Sequence, residues 1–511
     1  MRLRTAPLSR RSFLSKSSLA AGTVVTLSAP AFSLAAEGQP IPGNKPVADL
    51  TANATSSEPF RLPMNQPQHF FDDSQIGYQR KLVRRWLPAH TNPNPVMVGD
   101  RPWEEGSAKM QGSILAAPGG GYRMYYSGGG KVLVALSDDG LDWHKPELDI
   151  CPFEGKRSNI LLEGHPWSIA AASEVYDPQD EKHPYKLTSY QRPDKTKPGA
   201  LYAYKSADGL RFDPIPGPRF IMGDANTVMD SRVNGKFVGF IRHRKMFDTV
   251  GVRSVFRTES SDLLDWSEPK LVLAPDLQDE PDIEFYSMSV FRRNGWFIGL
   301  LQYWYSDQDF FETQLAFSRD GWLWQRPQPR SPFISRGYDW NQCGSNCAYN
   351  GPLFLNEQMA FYFSGSNTAH HSSTTSPKNT VIGLASLEVD RFCALEGTTE
   401  HGWVDTLPLI WPGGSLVVNA DTRESFTSHP TKANGELFVE VLDEAGKQLP
   451  EWCAKKRAIF QGNTHCREKI SDGTVRWPGG RNLDEFTGHA IRLRFGMKHA
   501  RLFTFEAKSS V

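Results

Sequence analysis

Cysteine is scarce, with six residues in 511 (Cys151, Cys343, Cys347, Cys393, Cys453 and Cys466), too few for a disulfide scaffold to hold the fold together. Cys343 and Cys347 lack a second Cys/His pair at finger spacing, which points to two buried or bridged thiols rather than zinc, and Cys453 and Cys466 are a candidate pair. Excess charge is absent as well. Lys+Arg and Asp+Glu both number 57, so no basic field exists to draw in nucleic acid or anionic lipid. G-x-S-x-G, H-E-x-x-H and phosphate-binding loops do not occur, and no cofactor or metal is expected from motif content. Long apolar helical periodicity is also missing, because 43 Gly and 36 Pro interrupt the chain every few residues. With 39% hydrophobic and 12% aromatic residues, what remains is an all-β chain with enough core for two or three domains.

The N-terminus stands apart. Ser9-Arg10-Arg11-Ser12-Phe13-Leu14, an apolar run from Leu19 to Leu34 and small residues suited to cleavage after Ala31 or Ala35 follow the order of a twin-arginine export signal. Gly22, Thr23, Thr26, Ser28 and Pro30 interrupt that run, so no permanent membrane span of about 20 residues is expected. The mature protein is expected to be periplasmic or secreted. This export route carries folded proteins, often with a cofactor inserted, and so raises a redox or metal enzyme as a competing expectation.

The body of the chain repeats itself. Ser137-Asp-Asp-Gly-Leu-Asp-Trp143, Ser206-Ala-Asp-Gly-Leu-Arg-Phe212, Ser260-Ser-Asp-Leu-Leu-Asp-Trp266 and Ser318-Arg-Asp-Gly-Trp-Leu-Trp324 share the pattern S-x-D-[GL]-x-x-[WF]. Their starts lie 69, 54 and 58 residues apart, the period of a four-stranded propeller blade with insertions. A degenerate fifth copy is read in Leu384–Phe392. In each unit Asp accepts backbone N–H groups across a turn, Gly permits positive φ, and the aromatic packs between sheets. Recurrence makes these residues structural, since one active site needs no copies. Five blades are expected over 66–395, with the segment near His69-Phe70-Phe71 supplying the last strand of blade five. Residues 36–65 read as a linker, and the short strands of 405–511, which lack the repeat, read as a β-sandwich.

With the blade motif, five units and a C-terminal sandwich, the chain resembles the five-bladed propeller glycoside hydrolases of families 32, 43 and 117. Asn159-Ile-Leu-Leu162, Glu284-Phe-Tyr-Ser-Met288 and Ile382-Gly-Leu-Ala385 are similar to an exported bacterial branch of the family-32 type. The resemblance spans nearly the whole mature chain and implies a glycosidase acting on an oligo- or polysaccharide. Family 32's W-M-N-D-P-N-G segment has no counterpart in 66–120, and its R-D-P and E-C segments are missing, so the catalytic groups must be sought afresh.

Glycoside hydrolysis needs two carboxyl groups, one protonated and one ionised. Innermost blade strands line a propeller's funnel, so carboxylates at their starts are the candidates. Glu284 enters the strand of blade four beside Phe285 and Tyr286, aromatics suited to stacking on sugar and to desolvating an acid. Asp224 leads into blade three, and Glu104 with Trp103 precedes blade one. Glu174 in blade two and Asp339 in blade five are candidate substrate contacts, and Arg242 is a candidate for binding a uronate or sulfate. His370-His371, in a Ser/Thr-rich loop, are a weaker candidate for metal or substrate. A carbohydrate-binding propeller without catalysis is the alternative expectation.

Overall fold

A computed structural model describes residues 58–509 except 164–171, 193–195, 197, 218–219, 222, 247–248, 345, 372–378, 423–434 and 465–471. The export signal and Cys466 lie outside the described residues; Cys343, Cys347 and Cys453 are unbridged. The described residues are nearly all β: short 3-10 turns occur but no α-helix, and no helix is long and apolar enough to cross a membrane.

Five antiparallel sheets follow one another along the chain. Sheet one contains Ile114–Ala116, Tyr122–Gly128, Lys131–Ser137 and Ile160–Glu163; sheet two is built on Ala172–Tyr176, Tyr185–Gln191 and Ala200–Ser206. Sheet three contains Asn226–Val228, Phe237–Met246, Thr249–Ser260 and Lys270–Leu273. Sheet four is built on Ile283–Arg293, Trp296–Tyr305 and Phe310–Ser318; its middle strand, WFIGLLQYWY, is buried almost throughout, as an apolar strand covered on both faces should be. In sheet five Asn346–Cys347 and Leu353–Leu355 pair with Gln358–Ser366, followed by Thr380–Glu388 and then His90–Thr91. The strand completing sheet five is therefore 90–91. The expected piece, Gln68–His69, pairs instead with Ala500–Lys508, because its flanking Phe70 is buried in the C-terminal core.

Hydrogen bonds tie the start of each sheet to the next in a closed circuit. Ser113 N–H donates to Glu174 Oε2 (2.9 Å), Val228 N–H to Ser173 Oγ (3.0 Å) and the Thr227 hydroxyl to the Met288 carbonyl (2.6 Å). The Ser289 hydroxyl donates to the Cys347 carbonyl (3.3 Å), and Tyr349 N–H returns to the Gly112 carbonyl (2.9 Å). Each sheet thus meets two neighbours.

The four turn motifs are near-identical in detail. The Ser hydroxyl donates to its Asp at 2.9–3.1 Å and its oxygen accepts the N–H of Gly140, Gly209, Leu263 or Gly321 at 2.9 Å. One Asp oxygen then accepts the next two N–H groups, as Asp320 does from Trp322 and Leu323. These bonds outweigh partial burial and hold Asp320, Asp262 and Asp208 below the usual carboxylate range. Leu263 occupies the glycine position with φ of +69°. Burying a leucine is worth about 1.5–3 kcal/mol, against roughly 1–2 kcal/mol for the left-handed backbone, so the strained residue is tolerated. The segment read as a fifth copy carries Glu388 at the Asp position, and Glu388 pairs with Arg391; Asp390, two residues on, pairs with Arg293 at 2.7 Å.

Two further sheets contain the C-terminal strands and also N-terminal ones: Phe60–Arg61 and Ile76–Arg80 in one, Gln68–His69 and Leu82–Trp86 in the other. They share a single apolar core around Trp411, Phe495 and Phe505.

Candidate functional site

A cavity of about 260 Å³, slightly below the roughly 300–1,000 Å³ usual for ligand pockets, opens where sheets one, three, four and five meet. Lys109 and Gln111 reach it from the approach to sheet one, Asp224 from sheet three, Tyr286 from sheet four, and Ser364 with His370 from sheet five.

Tyr286 faces it for a local reason. The register slips between Phe285, opposite Tyr303, and Ser287, opposite Gln302, which leaves Tyr286 as an extra residue in the strand. Such a bulge re-aims the side chain of the residue it adds. The Arg242 guanidinium lies 4.1 Å from the Tyr286 ring centre and forms an ion pair with Asp224. Arg253 lies 5.5 Å from the same ring and 4.5 Å from Trp304, and pairs with Glu284. Three expected site residues, Asp224, Arg242 and Tyr286, are thereby brought together, with Glu284 joined to them through Arg253. Both carboxylates sit in ion pairs, so Glu284 has a cation beside it as well as the aromatic neighbours expected for an acid.

On its other side Tyr286 meets His370. The phenol oxygen lies 3.0 Å from His370 Nε2, and the imidazole packs edge-on against Tyr286 and Phe311, with ring centres 5.2 and 5.0 Å apart. His370 N–H donates to the Asp309 carbonyl (3.1 Å), while the carboxylate of Asp309 accepts from the backbone and imidazole of His371. Partial burial opposes ionisation of Asp309, but those bonds and the two imidazoles hold its carboxyl below the usual range. Arg253 and Trp304 went unmarked in the sequence. Trp304 sits in the almost uniformly apolar strand Trp296–Tyr305 and Arg253 among the polar and β-branched residues of Thr249–Ser260, and neither pattern says what lies across the sheet.

The other expected residues lie elsewhere. Glu104 is fully buried, accepting from Tyr126 Oη (2.6 Å), Lys145 Nζ (2.7 Å) and Arg101 N–H (2.8 Å). Trp103 Nε1 donates to Asn159 Oδ1 (2.7 Å), a member of the same network through Tyr126. Both anchor the 98–105 loop onto sheet one. Asp339 is exposed and meets Gln342 at 3.4 Å, while the adjoining Trp340 packs over Gly365 and Gly383. Among the described residues no cluster of His, Cys, Asp and Glu has the makings of a metal site.

Glu174 lies at the join between sheets one and two, 1% exposed. Its Oε2 accepts from Ser113, and Oε1 has no partner among the described residues. Burial outweighs the Ser113 bond and pushes this carboxyl well above its ordinary value of 4.5. The folded state therefore keeps a proton that the unfolded chain releases, and stability falls as pH rises above about 4.5, by up to roughly 1.4 kcal/mol per pH unit until the native group itself ionises. Glu174→Gln is expected to remove that penalty. Thermal unfolding should show the variant melting higher than the parent at pH 8 and the gap closing towards pH 4; an equal gap at both pH values contradicts a neutral Glu174.

No protein-family profile matches the chain, and no curated protein is similar to it by sequence. Solved structures are. An α-L-arabinofuranosidase from Podospora anserina in complex with cellotriose is similar at 12% identity and TM-score 0.42, over 59% of this chain and 98% of that one. A thermostable family-43 glycoside hydrolase is similar at 14% identity and TM-score 0.40, over 58% and 92%. An N-acetylgalactosamine deacetylase from F. plautii, in complex with blood group B trisaccharide, is similar at 14% identity and TM-score 0.40, over 65% and 95%.

Proposed function

We propose that this chain is an exported glycoside hydrolase, a five-bladed β-propeller with a C-terminal β-sandwich, cleaving an oligo- or polysaccharide at the cavity around Tyr286. The observation that carries this reading is the pairing of two carboxylates, Asp224 and Glu284, with two guanidiniums around one aromatic that lines the cavity. The circuit of hydrogen bonds through five sheets supports five blades around a funnel. The shared core of the last two sheets supports a sandwich.

In this reading Glu284 and Asp224 act as anions, one accepting the proton of attacking water or attacking the sugar directly, the other stabilising positive charge on the ring. Arg242 holds Asp224 in place. Glu104 and Trp103 contribute through the loop they anchor. The test is a panel of polysaccharides and aryl glycosides incubated with the purified mature protein, with released reducing sugar or phenol measured. Turnover of at least one substrate is expected. Binding without turnover across the panel favours a non-catalytic carbohydrate-binding propeller and overturns the enzymatic assignment.

A further inference from the structure

Hydrolysis of an unactivated glycoside requires a proton for the departing oxygen, and both candidate carboxylates, Asp224 in the cavity lining and Glu284 two positions before the lining residue Tyr286, are engaged by arginines. A cavity-lining group with a proton to give is the Tyr286 hydroxyl, which shares a 3.0 Å hydrogen bond with His370 Nε2; both residues line the cavity. We infer that Tyr286 is the proton donor to the leaving group and that His370 resupplies it, a relay in place of the usual carboxylic acid. This inference rests on the carbohydrate-cleaving reading and deepens it.

Several features favour the relay. The bulge at Tyr286 directs the phenol away from the regular register of its strand. His370 is held by its backbone bond to Asp309 and by edge contacts with Phe311, Trp304 and Tyr286, so its Nε2 stays on the phenol oxygen. Among the described residues, the charged groups around the pair include Asp309 and His371 behind His370, Arg242 and Arg253 beyond the Tyr286 ring, each paired with its carboxylate, and Lys109 in the lining of the same cavity.

The step balances. With His370 charged, Nε2–H donates to Tyr286 Oη, leaving the hydroxyl proton to point at the glycosidic oxygen. As the C1–O bond breaks, its electron pair goes to the leaving oxygen, which takes the Oη proton while the Nε2 proton moves to Oη. Water then forms the new bond to C1 and gives its proton to Glu284 or Asp224. Solvent returns that proton to His370, so the enzyme ends as it began.

Leaving-group dependence tests this, using the sugar on which the parent protein is most active, presented as its 4-methoxyphenyl and 2,4-dinitrophenyl glycosides. Dinitrophenolate departs without a proton and methoxyphenolate does not. Tyr286→Phe is expected to slow the methoxyphenyl glycoside by at least about 100-fold and the dinitrophenyl glycoside by less than about 5-fold. His370→Gln should show the same selectivity to a smaller degree. Parallel losses on both glycosides in both variants would overturn the relay and leave the glycosidase reading standing, since a merely structural role slows the two alike. A parent protein inert on every glycoside would sink the reading and the relay together.

Discussion

Glu284→Gln is expected to lower turnover by about 10²–10⁴-fold on any substrate the parent protein cleaves, with little change in melting temperature. Glutamine keeps the shape and an oxygen for Arg253 to donate to, while removing the negative charge that the proposed reaction needs to take up a proton or attack the sugar. Arg253 remains stacked on Trp304, so the surroundings hold their arrangement. Steady-state rates of the variant and parent on the same glycoside, with thermal unfolding of both, decide the matter. Turnover at the parent's level would remove Glu284 from the chemistry.

The largest effect on stability is expected from Asp279→Ala, a loss of roughly 3–5 kcal/mol. The Asp279 side chain is 1% exposed, accepts from Arg326 Nη1 with both oxygens (2.8 Å each) and from the Tyr303 hydroxyl (3.0 Å), and forms an ion pair with Arg330 (2.7 Å). Arg326 is itself 3% exposed, so alanine would strand a buried guanidinium, and that uncompensated charge accounts for most of the loss. The effect should reach the cavity too, because Asp279 lies in the loop leading directly into Ile283–Arg293, the strand that bears Glu284 and Tyr286. Chemical denaturation of variant and parent checks the prediction; a loss below about 1 kcal/mol would show that the arginines find other partners or solvent.

Much was legible in the residues alone because it is local. The turn motif names its own hydrogen bonds: a Ser, an Asp two residues on and a Gly after it brace one tight turn wherever they occur, and four copies at blade-like spacing announce repeated four-stranded units. Asp224, Glu284 and Tyr286 were legible as candidates because they sit at or near the starts of strands, and Arg242 because a guanidinium towards the end of a strand suits an anionic sugar group. Glu104 shared that kind of position and turned out to be a buried anchor, since sequence position does not reveal that Lys145 and Tyr126 fold over it.

By itself, then, the chain's composition and repeat determined an all-β architecture of recurrent sheets, because alternation and turn chemistry act over a few residues. Only the tertiary structure decided that His90–Thr91 completes the fifth sheet, that 60–86 joins the C-terminal sheets, and that His370 meets Tyr286 from 84 positions away. The physical reason is that partners in different sheets are chosen by packing and long-range hydrogen bonding, whose energies depend on distance in space and leave no periodic trace along the chain.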